Sequence, residues 1–196
     1  MPRLPRQFKD EGIYHIIQRG NNKNKIFFIR GDYLKFISLL RKYKKRYDFD
    51  IFNYCLMPNH VHLLIKIHKK EHMAKLFQGI FQSFQYHHRR KYGYCGTLYQ
   101  KRYKSILIDK DPYLLECARY IERNPLRASM VEVLSQYKWS SYSFYAENVP
   151  NDLLTPNPIY LDLAKSKTKR LKMYQEYLIQ SRPYEMVLDQ NIEKLR

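Results

Sequence analysis

The sequence predicts an α+β fold, the ferredoxin-like split βαβ sandwich, in which an antiparallel sheet is covered by helices and a C-terminal helical extension is added. Two observations indicate this fold. Segments rich in β-branched and aromatic residues alternate with segments whose apolar residues recur every three or four positions, in the order strand, helix, strand, strand, helix, strand. The 196 residues, 44% of them hydrophobic, can also bury one packed core.

The first four elements occupy residues 12–67. Gly12–Arg19 is rich in β-branched and aromatic residues and enters a Gly-Asn-Asn turn, which indicates a strand. Residues 32–47 place apolar side chains three and four positions apart with lysines and arginines between them, which predicts an amphipathic helix. Two further strands, 51–56 and His60–Ile67, are predicted on either side of a Met-Pro-Asn turn, because proline suits a turn position.

The next segments complete the predicted sandwich. A second helix over residues 71–92 carries its apolar residues on one side, and a loop with two glycines leads to a strand at 103–108. Asp111 followed by proline predicts a helix start. Asn124 followed by Pro125 predicts that this helix ends there and that another begins, with Asn124 as its N-cap.

Residues 1–131 are predicted to form the core of the fold, and residues 132–196 a C-terminal extension packed on the same domain. Loop-type residues occupy 149–158 in this extension, and a helical segment is expected at 167–180. No internal repeat or low-complexity segment divides the chain further.

Positive charge is concentrated in the first part of the chain. The whole chain has 36 Lys and Arg against 18 Asp and Glu, and residues 1–110 alone hold 24 against 7, a net charge of +17. A field of that strength attracts polyanions, and 19 Tyr and 10 Phe supply rings on which unpaired bases stack. The composition therefore favours nucleic acid as the partner, and a basic surface that only aids solubility is the alternative.

The same composition bears on location and redox state. The longest charge-free stretch, residues 51–65, is 15 residues long and contains polar side chains, so it is too short and too polar to cross a bilayer. The charged N-terminus lacks the apolar segment of a secretory signal, so a cytoplasmic location is expected. The three cysteines, 40 and 22 residues apart, fit neither a disulfide framework nor a zinc ribbon and predict free, mostly buried thiols.

His60 and His62 form an H-x-H pair within a predicted strand. Because side chains alternate along a strand, both imidazoles project from one face, close enough to share an ion. Two ligands make an incomplete metal site, and two histidines hydrogen-bonded at a sheet face would give the same pattern. The pair alone leaves both interpretations open.

Tyr120 and Asn124 lie one turn apart on the helix predicted after the fourth strand. They stand at the edge of its apolar arc, with Arg119, Glu122 and Arg123 on the opposite side. A half-buried packing tyrosine and a capping asparagine would account for both residues without any chemistry. The helix pattern therefore identifies an edge of the helix, and it does not identify a function.

Four segments, in this order, resemble the single-tyrosine HUH transposases of the insertion-sequence type, and most closely their REP-associated tyrosine transposase branch. The segments are GIYHIIQRGNNK, YCLMPNHVHLLI, GTLYQKRYKS and YIERNPLRA. The likeness covers roughly residues 5–131, and residues beyond about 135 match only loosely. The resemblance implies a ferredoxin-like core and an enzyme that cuts and rejoins single-stranded DNA beside hairpins.

The resemblance also implies roles for individual residues. It makes His60 and His62 metal ligands, Tyr120 the nucleophile, and Asn124 a third ligand through its amide oxygen. The resemblance implies Mg²⁺ or Mn²⁺ as the ion; mixed imidazole and amide ligation tolerates Mn²⁺ readily, while Mg²⁺ prefers oxygen ligands. The expected intermediate is a 5′-phosphotyrosine beside a free 3′-hydroxyl. Glu116, one turn before Tyr120, is a candidate base, and a surface partner for a neighbouring arginine is the alternative.

Three basic segments are predicted to contact DNA, because each combines cations with nearby aromatic rings. They follow the first strand, end the second helix and precede the fourth strand. The predicted contact residues are Arg19, Asn21, Lys23, Lys25, Arg89, Arg90, Lys91, Gln100, Arg102 and Lys104. An ordinary solvated loop or helix end is the alternative for each segment.

Three functions are consistent with these residues. The expected function is that of a metal-dependent transposase that acts on single-stranded DNA with hairpin structure and has no membrane partner. The alternatives are a catalytically inactive or domesticated hairpin-binding protein of the same fold, and a metal nuclease that uses water and forms no covalent adduct. The resemblance leaves open whether the protein acts as a homodimer.

Overall fold

A computed structural model describes residues 6–109 and 111–180. The elements of the core are β1 (Gly12–Arg19), α1 (Arg30–Tyr47), β2 (Phe49–Met57), β3 (His60–Ile67), α2 (His72–Tyr92), β4 (Lys104–Leu107) and α3 (Asp111–Arg127). The four strands form one antiparallel sheet in the order β2-β3-β1-β4. This order, with helices between the strands, confirms the predicted ferredoxin-like sandwich.

The two faces of the sheet are covered by different helices. On one face Val61 and Leu63 pack with Phe36 of α1 and Phe77 of α2 in the main hydrophobic core. The alternate residues of β3 face the other way, where α3 closes a second hydrophobic cluster around Leu64. The sequence predicts α3 but not the sheet face that it covers, because that choice depends on the tertiary structure.

The predicted helix boundary at Asn124 and Pro125 is wrong, because α3 continues without a break to Arg127. Pro125 has no N–H to donate to the carbonyl of Ile121. The side-chain Nδ2 of Asn124 donates to that carbonyl at 3.3 Å and to the carbonyl of Tyr120 at 2.8 Å. The asparagine thus supplies the donor that the proline lacks, and it is not an N-cap.

The C-terminal segment packs on α3 and along the edge of β2. It contains α4 (Tyr142–Ala146), α5 (Pro158–Asp162) and α6 (Lys167–Ile179). The α6 bounds agree with the predicted helical segment, whereas α4 and α5 were not predicted. The part of the predicted extension beyond residue 180 lies outside the described residues, and the boundary at residue 131 stays a prediction.

The extension changes the environment of the polar side of α3. Arg119 and Glu122, expected opposite the apolar arc, are fully buried. Glu122 accepts hydrogen bonds from Asn53 of β2, from Ser141 and from Tyr174 of α6. Burial raises the pKa of Glu122 to about 7, although these hydrogen bonds lower it. The polar face of this helix therefore anchors the extension and is not a solvated surface.

The cysteines agree with the expectation of free, mostly buried thiols. All three thiols are free; Cys55 and Cys117 are buried in the cluster beneath α3, and Cys95 is exposed. In the two ranges that the structure describes, the helices are too short or too polar to span a bilayer.

Candidate active site

The two histidines of β3 lie side by side on the sheet face that α3 covers. Their ring centroids are 4.8 Å apart. His62 is 3% exposed and stands opposite Ile17 of β1 and Cys55 of β2, while His60 is partly exposed at the first position of the strand. The alternation of side chains along β3 therefore brings the two imidazoles together, as predicted.

A hydrogen bond fixes the tautomer of His60. Its Nδ1 lies 2.6 Å from Oδ1 of Asn59, and Nδ2 of the same amide donates to the carbonyl of Lys23 at 3.0 Å. Because a carbonyl only accepts, the amide nitrogen must face Lys23 and the amide oxygen must face His60. Nδ1 of His60 thus carries the proton, and Nε2 keeps a lone pair that can bind a metal ion.

A third histidine, His15 of β1, belongs to the same cluster. It is 0% exposed, and its Nε2 lies 2.9 Å from Nδ1 of His62. Its own Nδ1 is buried and has no hydrogen-bond partner within the described part of the chain. The sequence alone does not reveal His15 as part of the site, because its place beside His62 depends on the register between β1 and β3. The alternation in IYHII was the available signal, although it does not show which face His15 occupies.

The predicted nucleophile, Tyr120, lies on α3 directly over these histidines. Its ring is edge-on to His15 and His62, with centroid distances of 6.0 Å and 5.8 Å. The guanidinium of Arg127 lies 5.0 Å from the centre of the same ring. Tyr120 is only 4% exposed, so the structure places it between the helix and the sheet. The structure therefore brings the predicted nucleophile and a predicted metal ligand into contact.

Asn124 follows Tyr120 by one turn of α3 and is 9% exposed. Both of its hydrogen bonds to the helix are made through Nδ2. Its amide oxygen takes part in neither bond, and an amide oxygen is the atom that a hard cation binds. The hydrogen bonds of Asn124 are made with its own helix, so its role as a ligand stays a prediction.

The electrostatic environment keeps the three imidazoles neutral. Burial lowers the pKa of His15 to about 3 and, together with the charge of Arg19, lowers the pKa of His60 to about 4. Burial also holds the pKa of His62 well below 6.5, with further effects from its two histidine neighbours and from Arg19 and Arg127. Neutral imidazole is the form that binds metal ions, and the two arginines supply positive charge that attracts a phosphate.

Two of the predicted DNA-binding segments meet beside His60. Arg19 stands opposite His60 in the pairing of β1 with β3. The backbone N–H of Gln100 donates to the carbonyl of Arg19 at 3.1 Å, and that of Asn21 donates to the carbonyl of Leu98 at 2.9 Å. The loop after β1 and the loop before β4 therefore form one basic surface at the end of the sheet that carries His60.

The third segment, at the end of α2, includes one lysine that serves the fold. Nζ of Lys91 lies 2.6 Å from Oδ1 of Asp32, a fully buried carboxylate that also accepts hydrogen bonds from the backbone of Phe28 and Ile29. Six of the predicted contact residues are exposed at the surface: Lys23, Lys25, Arg89, Arg90, Gln100 and Arg102. Lys104 is partly buried on β4 opposite Ile17. DNA contact by all these residues stays a prediction.

Comparisons with known proteins identify relatives of this chain. Residues 9–124 match the family described as Transposase IS200 like, a match that includes the three histidines, the tyrosine and the asparagine. The chain belongs to the IS200-like transposase family. A Haemophilus influenzae protein that bears the name REP-associated tyrosine transposase is 26% identical over 167 residues, which are 78% of this chain and 93% of the relative.

A solved structure shares the fold of this IS200-like chain. It is the structure of a REP-associated tyrosine transposase bound to a REP hairpin, with a TM-score of 0.61 and 15% sequence identity over 81% of this chain and 93% of that chain. The resemblance inferred from the four sequence segments is thereby confirmed at the level of family and fold.

The donor atoms of the site fit a divalent ion. His60 is neutral with Nε2 unprotonated, and His62 has its Nδ1 engaged by His15, which leaves Nε2 as its second ring nitrogen. Within residues 6–109 and 111–180, no group of three His, Cys, Asp or Glu side chains could hold a metal ion. A third protein ligand from these two ranges would therefore be of another type, and the resemblance implies the amide oxygen of Asn124.

Proposed function

We propose that this transposase cleaves and rejoins single-stranded DNA beside hairpins by means of a 5′-phosphotyrosine on Tyr120. The observation that supports this most strongly is the contact of the Tyr120 ring with His62, one of two neutral histidines on the adjacent strand. A tyrosine used only for packing needs no such neighbours. A phenol in contact with a potential metal ligand suits metal-assisted in-line attack on a phosphodiester.

Three residues of the chain have separate roles in the first step, which is strand cleavage. The Tyr120 oxygen attacks the phosphorus, the bond from phosphorus to the 3′-oxygen breaks, and the 3′-oxygen leaves as a hydroxyl that takes up a proton. The guanidinium of Arg127 lies 5.0 Å from the centre of the Tyr120 ring, where its positive charge would stabilise negative charge on the scissile phosphate. Glu116, one turn earlier on α3 and partly buried, is the proposed acceptor of the phenolic proton.

His60, His62 and Asn124 are the residues that would hold Mg²⁺ or Mn²⁺. Such an ion supplies Lewis-acid chemistry, since it neutralises charge on the scissile phosphate. In the second step another 3′-hydroxyl attacks the phosphotyrosine, gives up its proton, and releases Tyr120. The covalent bond conserves the energy of the cleaved linkage, so strands are joined without ATP.

The proposed substrate follows from the surface around the site. The basic loops after β1 and before β4 meet beside His60, and they would bind the backbone of a hairpin and its flanking single strand. The solved REP-associated tyrosine transposase described above is bound to a REP hairpin, which supports hairpin DNA as the substrate here. The reaction would take place in the cytoplasm, and both a monomer and a homodimer are compatible with it.

A cleavage assay with matched tyrosine variants tests this proposal. Full-length protein is incubated with Mn²⁺ and a 5′-labelled and a 3′-labelled hairpin with single-stranded flanks, and the products are separated under denaturing conditions. Wild type should give a protein conjugate that carries only the 3′-terminal label. Tyr120→Phe should give no conjugate, while Tyr113→Phe, which changes an exposed tyrosine of the same helix, should react like wild type.

The same assay separates the alternatives. Free cleavage products with no conjugate would indicate a nuclease that uses water. Hairpin binding without cleavage would indicate an inactive binding protein of the same fold. Cleavage by Tyr120→Phe at the wild-type rate would overturn the assignment of the nucleophile.

A further inference from the structure

His15 lies next to the proposed metal site although nothing in the proposed chemistry uses it. It is fully buried, its ring lies edge to edge with that of His62 with centroids 5.1 Å apart and planes at 28°, and it is in contact with the ring of Tyr120. A buried side chain in contact with both a proposed ligand and the proposed nucleophile can act through either of them. The hydrogen bond of His15 shows that it acts through His62.

We propose that His15 is a positioning residue that accepts the Nδ1–H of His62 and thereby keeps Nε2 of His62 unprotonated for the metal ion. This inference rests on the proposed function, because it assumes that His62 is a ligand. His15 takes no part in the bond-breaking steps, and its effect is on the tautomer and orientation of His62.

The hydrogen bond between the two imidazoles has two possible proton arrangements. Nε2 of His15 and Nδ1 of His62 are 2.9 Å apart, and two neutral rings can form this bond only if one of these atoms carries the hydrogen. If His15 donates, His62 holds its single proton on Nε2 and cannot bind a metal ion through either nitrogen. If His62 donates, its Nε2 has a free lone pair, as Nε2 of His60 has. Only the second arrangement makes the H-x-H pair a pair of ligands.

The second nitrogen of His15 indicates that this residue is not there for stability. Nδ1 is buried without a hydrogen-bond partner within the described residues. An unsatisfied buried polar atom costs on the order of 1–3 kcal/mol, and an apolar ring of the same shape avoids that cost. A purely structural position under α3 would therefore be better filled by phenylalanine, and the imidazole has to be explained by its Nε2.

Three variants separate the effect of the His15 acceptor nitrogen from the effect of its ring shape. His15→Phe keeps an aromatic ring against His62 and Tyr120 and removes the acceptor. His15→Gln removes the ring and restores an acceptor oxygen at about the reach of the imidazole Nε2. His88→Phe is the matched control, because His88 is also buried and also has no hydrogen-bond partner among the described residues, yet belongs to α2 and packs against Phe28 and Phe84.

The experiment measures Mn²⁺ binding to the full-length, DNA-free protein by electron paramagnetic resonance, together with unfolding in urea. Loss of the residue that orients a metal-binding histidine weakens metal affinity by roughly 10- to 100-fold, so His15→Phe should lie in that range. His15→Gln should recover most of the wild-type affinity, and His88→Phe should bind like wild type. A merely structural role predicts the reverse, lower stability of His15→Phe with unchanged Mn²⁺ affinity.

A second measurement needs neither metal nor activity. Long-range ¹H–¹⁵N spectra of metal-free wild type should show the proton of His62 on Nδ1, and in His15→Phe it should move to Nε2. Wild-type spectra with the proton on Nε2 would overturn the inference, even if His15→Phe failed to fold. Mn²⁺ affinity of His15→Phe equal to wild type would also overturn it.

His60→Ala distinguishes failure of this inference from failure of the proposed function. If wild type binds no Mn²⁺, or if His60→Ala binds Mn²⁺ as well as wild type, the proposed metal site is wrong and so is the inference about His15. If wild type binds Mn²⁺, His60→Ala loses this binding and His15→Phe keeps it, the metal site stands and the inference about His15 is wrong.

Discussion

At the scale of single residues, Asn124 combines a helix contact with a proposed metal contact. Its Nδ2 donates to the carbonyl that Pro125 leaves without a partner, and its amide oxygen is the proposed ligand atom. Because the two roles use different atoms of one amide, a substitution there affects stability and metal binding together. A change at Pro125 can separate them.

We expect Asn124→Ala to lower the free energy of unfolding by about 1 kcal/mol and to weaken Mn²⁺ binding. In a Pro125→Ala background the backbone N–H of residue 125 can donate to Ile121, so the stability cost of Asn124→Ala should shrink while the loss of Mn²⁺ affinity remains. Urea unfolding and Mn²⁺ titration of the four proteins give both quantities. Unchanged Mn²⁺ affinity in a destabilised Asn124→Ala would show that this residue serves only the helix.

At the scale of elements, a buried carboxylate joins the start of α1 to the end of α2. Asp32 is fully buried, and it is bound by Lys91 and Tyr92 as well as by backbone N–H groups. Burial raises the pKa of Asp32, but the hydrogen bonds from Lys91 and from the backbone outweigh it and lower the pKa to about 2, against 3.8 for the free side chain. The carboxylate is therefore a stabilising group that needs its charge.

Asp32→Asn should lower the free energy of unfolding at pH 7 by about 2 kcal/mol, the equivalent of this pKa shift. A lowered pKa in the folded protein means that the stabilisation is present above pH 3.8 and is lost as the pH falls toward 2. In urea unfolding, the difference in the free energy of unfolding between wild type and Asp32→Asn should accordingly become smaller from pH 4 to pH 2. Asp152→Asn, which breaks an exposed ion pair with Arg41, is the control and should change stability by less than about 1 kcal/mol. A stability difference between wild type and Asp32→Asn that does not change with pH would contradict the stabilising role of the Asp32 charge.

The buried face of α3 gives a second prediction at this scale. Glu122 accepts hydrogen bonds from β2, from α6 and from the segment before α4, so it joins the core to the extension. Glu122→Ala should lower the free energy of unfolding by about 3 kcal/mol and expose the chain after α3 to proteolysis, because three buried donors lose their acceptor. Glu122→Gln keeps the shape and one acceptor and should cost less. Equal stability of Glu122→Ala and wild type would show that the extension is held by its apolar contacts alone.

The elements of the core were predictable from sequence because their patterns are local. Gly12–Arg19 and His60–Ile67 have the predicted bounds, and α1 begins two residues before the predicted start. The end of α3 was predicted wrongly, because the side-chain bond that carries the helix past Pro125 leaves no periodic signal. The short helices of the extension likewise depend on packing against α3 rather than on their own propensity.

The candidate site was predictable only in part. The pair His60 and His62 follows from strand alternation, but the role of Tyr120 came from the resemblance, and only the structure shows that its ring meets His62. His15 could not be found without the strand register. Arg119 was expected opposite the apolar arc and is buried, because the segments that cover it come from more distant parts of the sequence.

At the scale of the whole molecule, charge and access together determine the substrate. The net charge of +17 in residues 1–110 attracts single strands and duplexes alike. Tyr120, however, is 4% exposed and lies between a helix and a sheet. A phosphate that reaches it has to enter between two rigid elements, which a flexible single strand does more easily than a stacked duplex.

We therefore expect cleavage of a single strand that flanks a hairpin and little or none when a complementary strand is annealed across the same position. Binding to the single-stranded substrate should weaken with salt, with a log–log slope near −0.7 for each phosphate contacted. Comparing cleavage of the two substrates at one salt concentration keeps the charge effect constant. Equal cleavage of both would contradict the single-strand assignment, whichever residue is the nucleophile.

The central claim is that Tyr120 forms the covalent bond to DNA, and peptide mapping of the conjugate tests it most directly. After nuclease and trypsin digestion, Tyr120 lies in the peptide YIER and Tyr113 in DPYLLECAR, so fragmentation by mass spectrometry assigns the modified residue. We predict a 5′-linked nucleotide on the tyrosine of YIER and none on DPYLLECAR. A nucleotide on any other peptide, with YIER unmodified, would contradict the account.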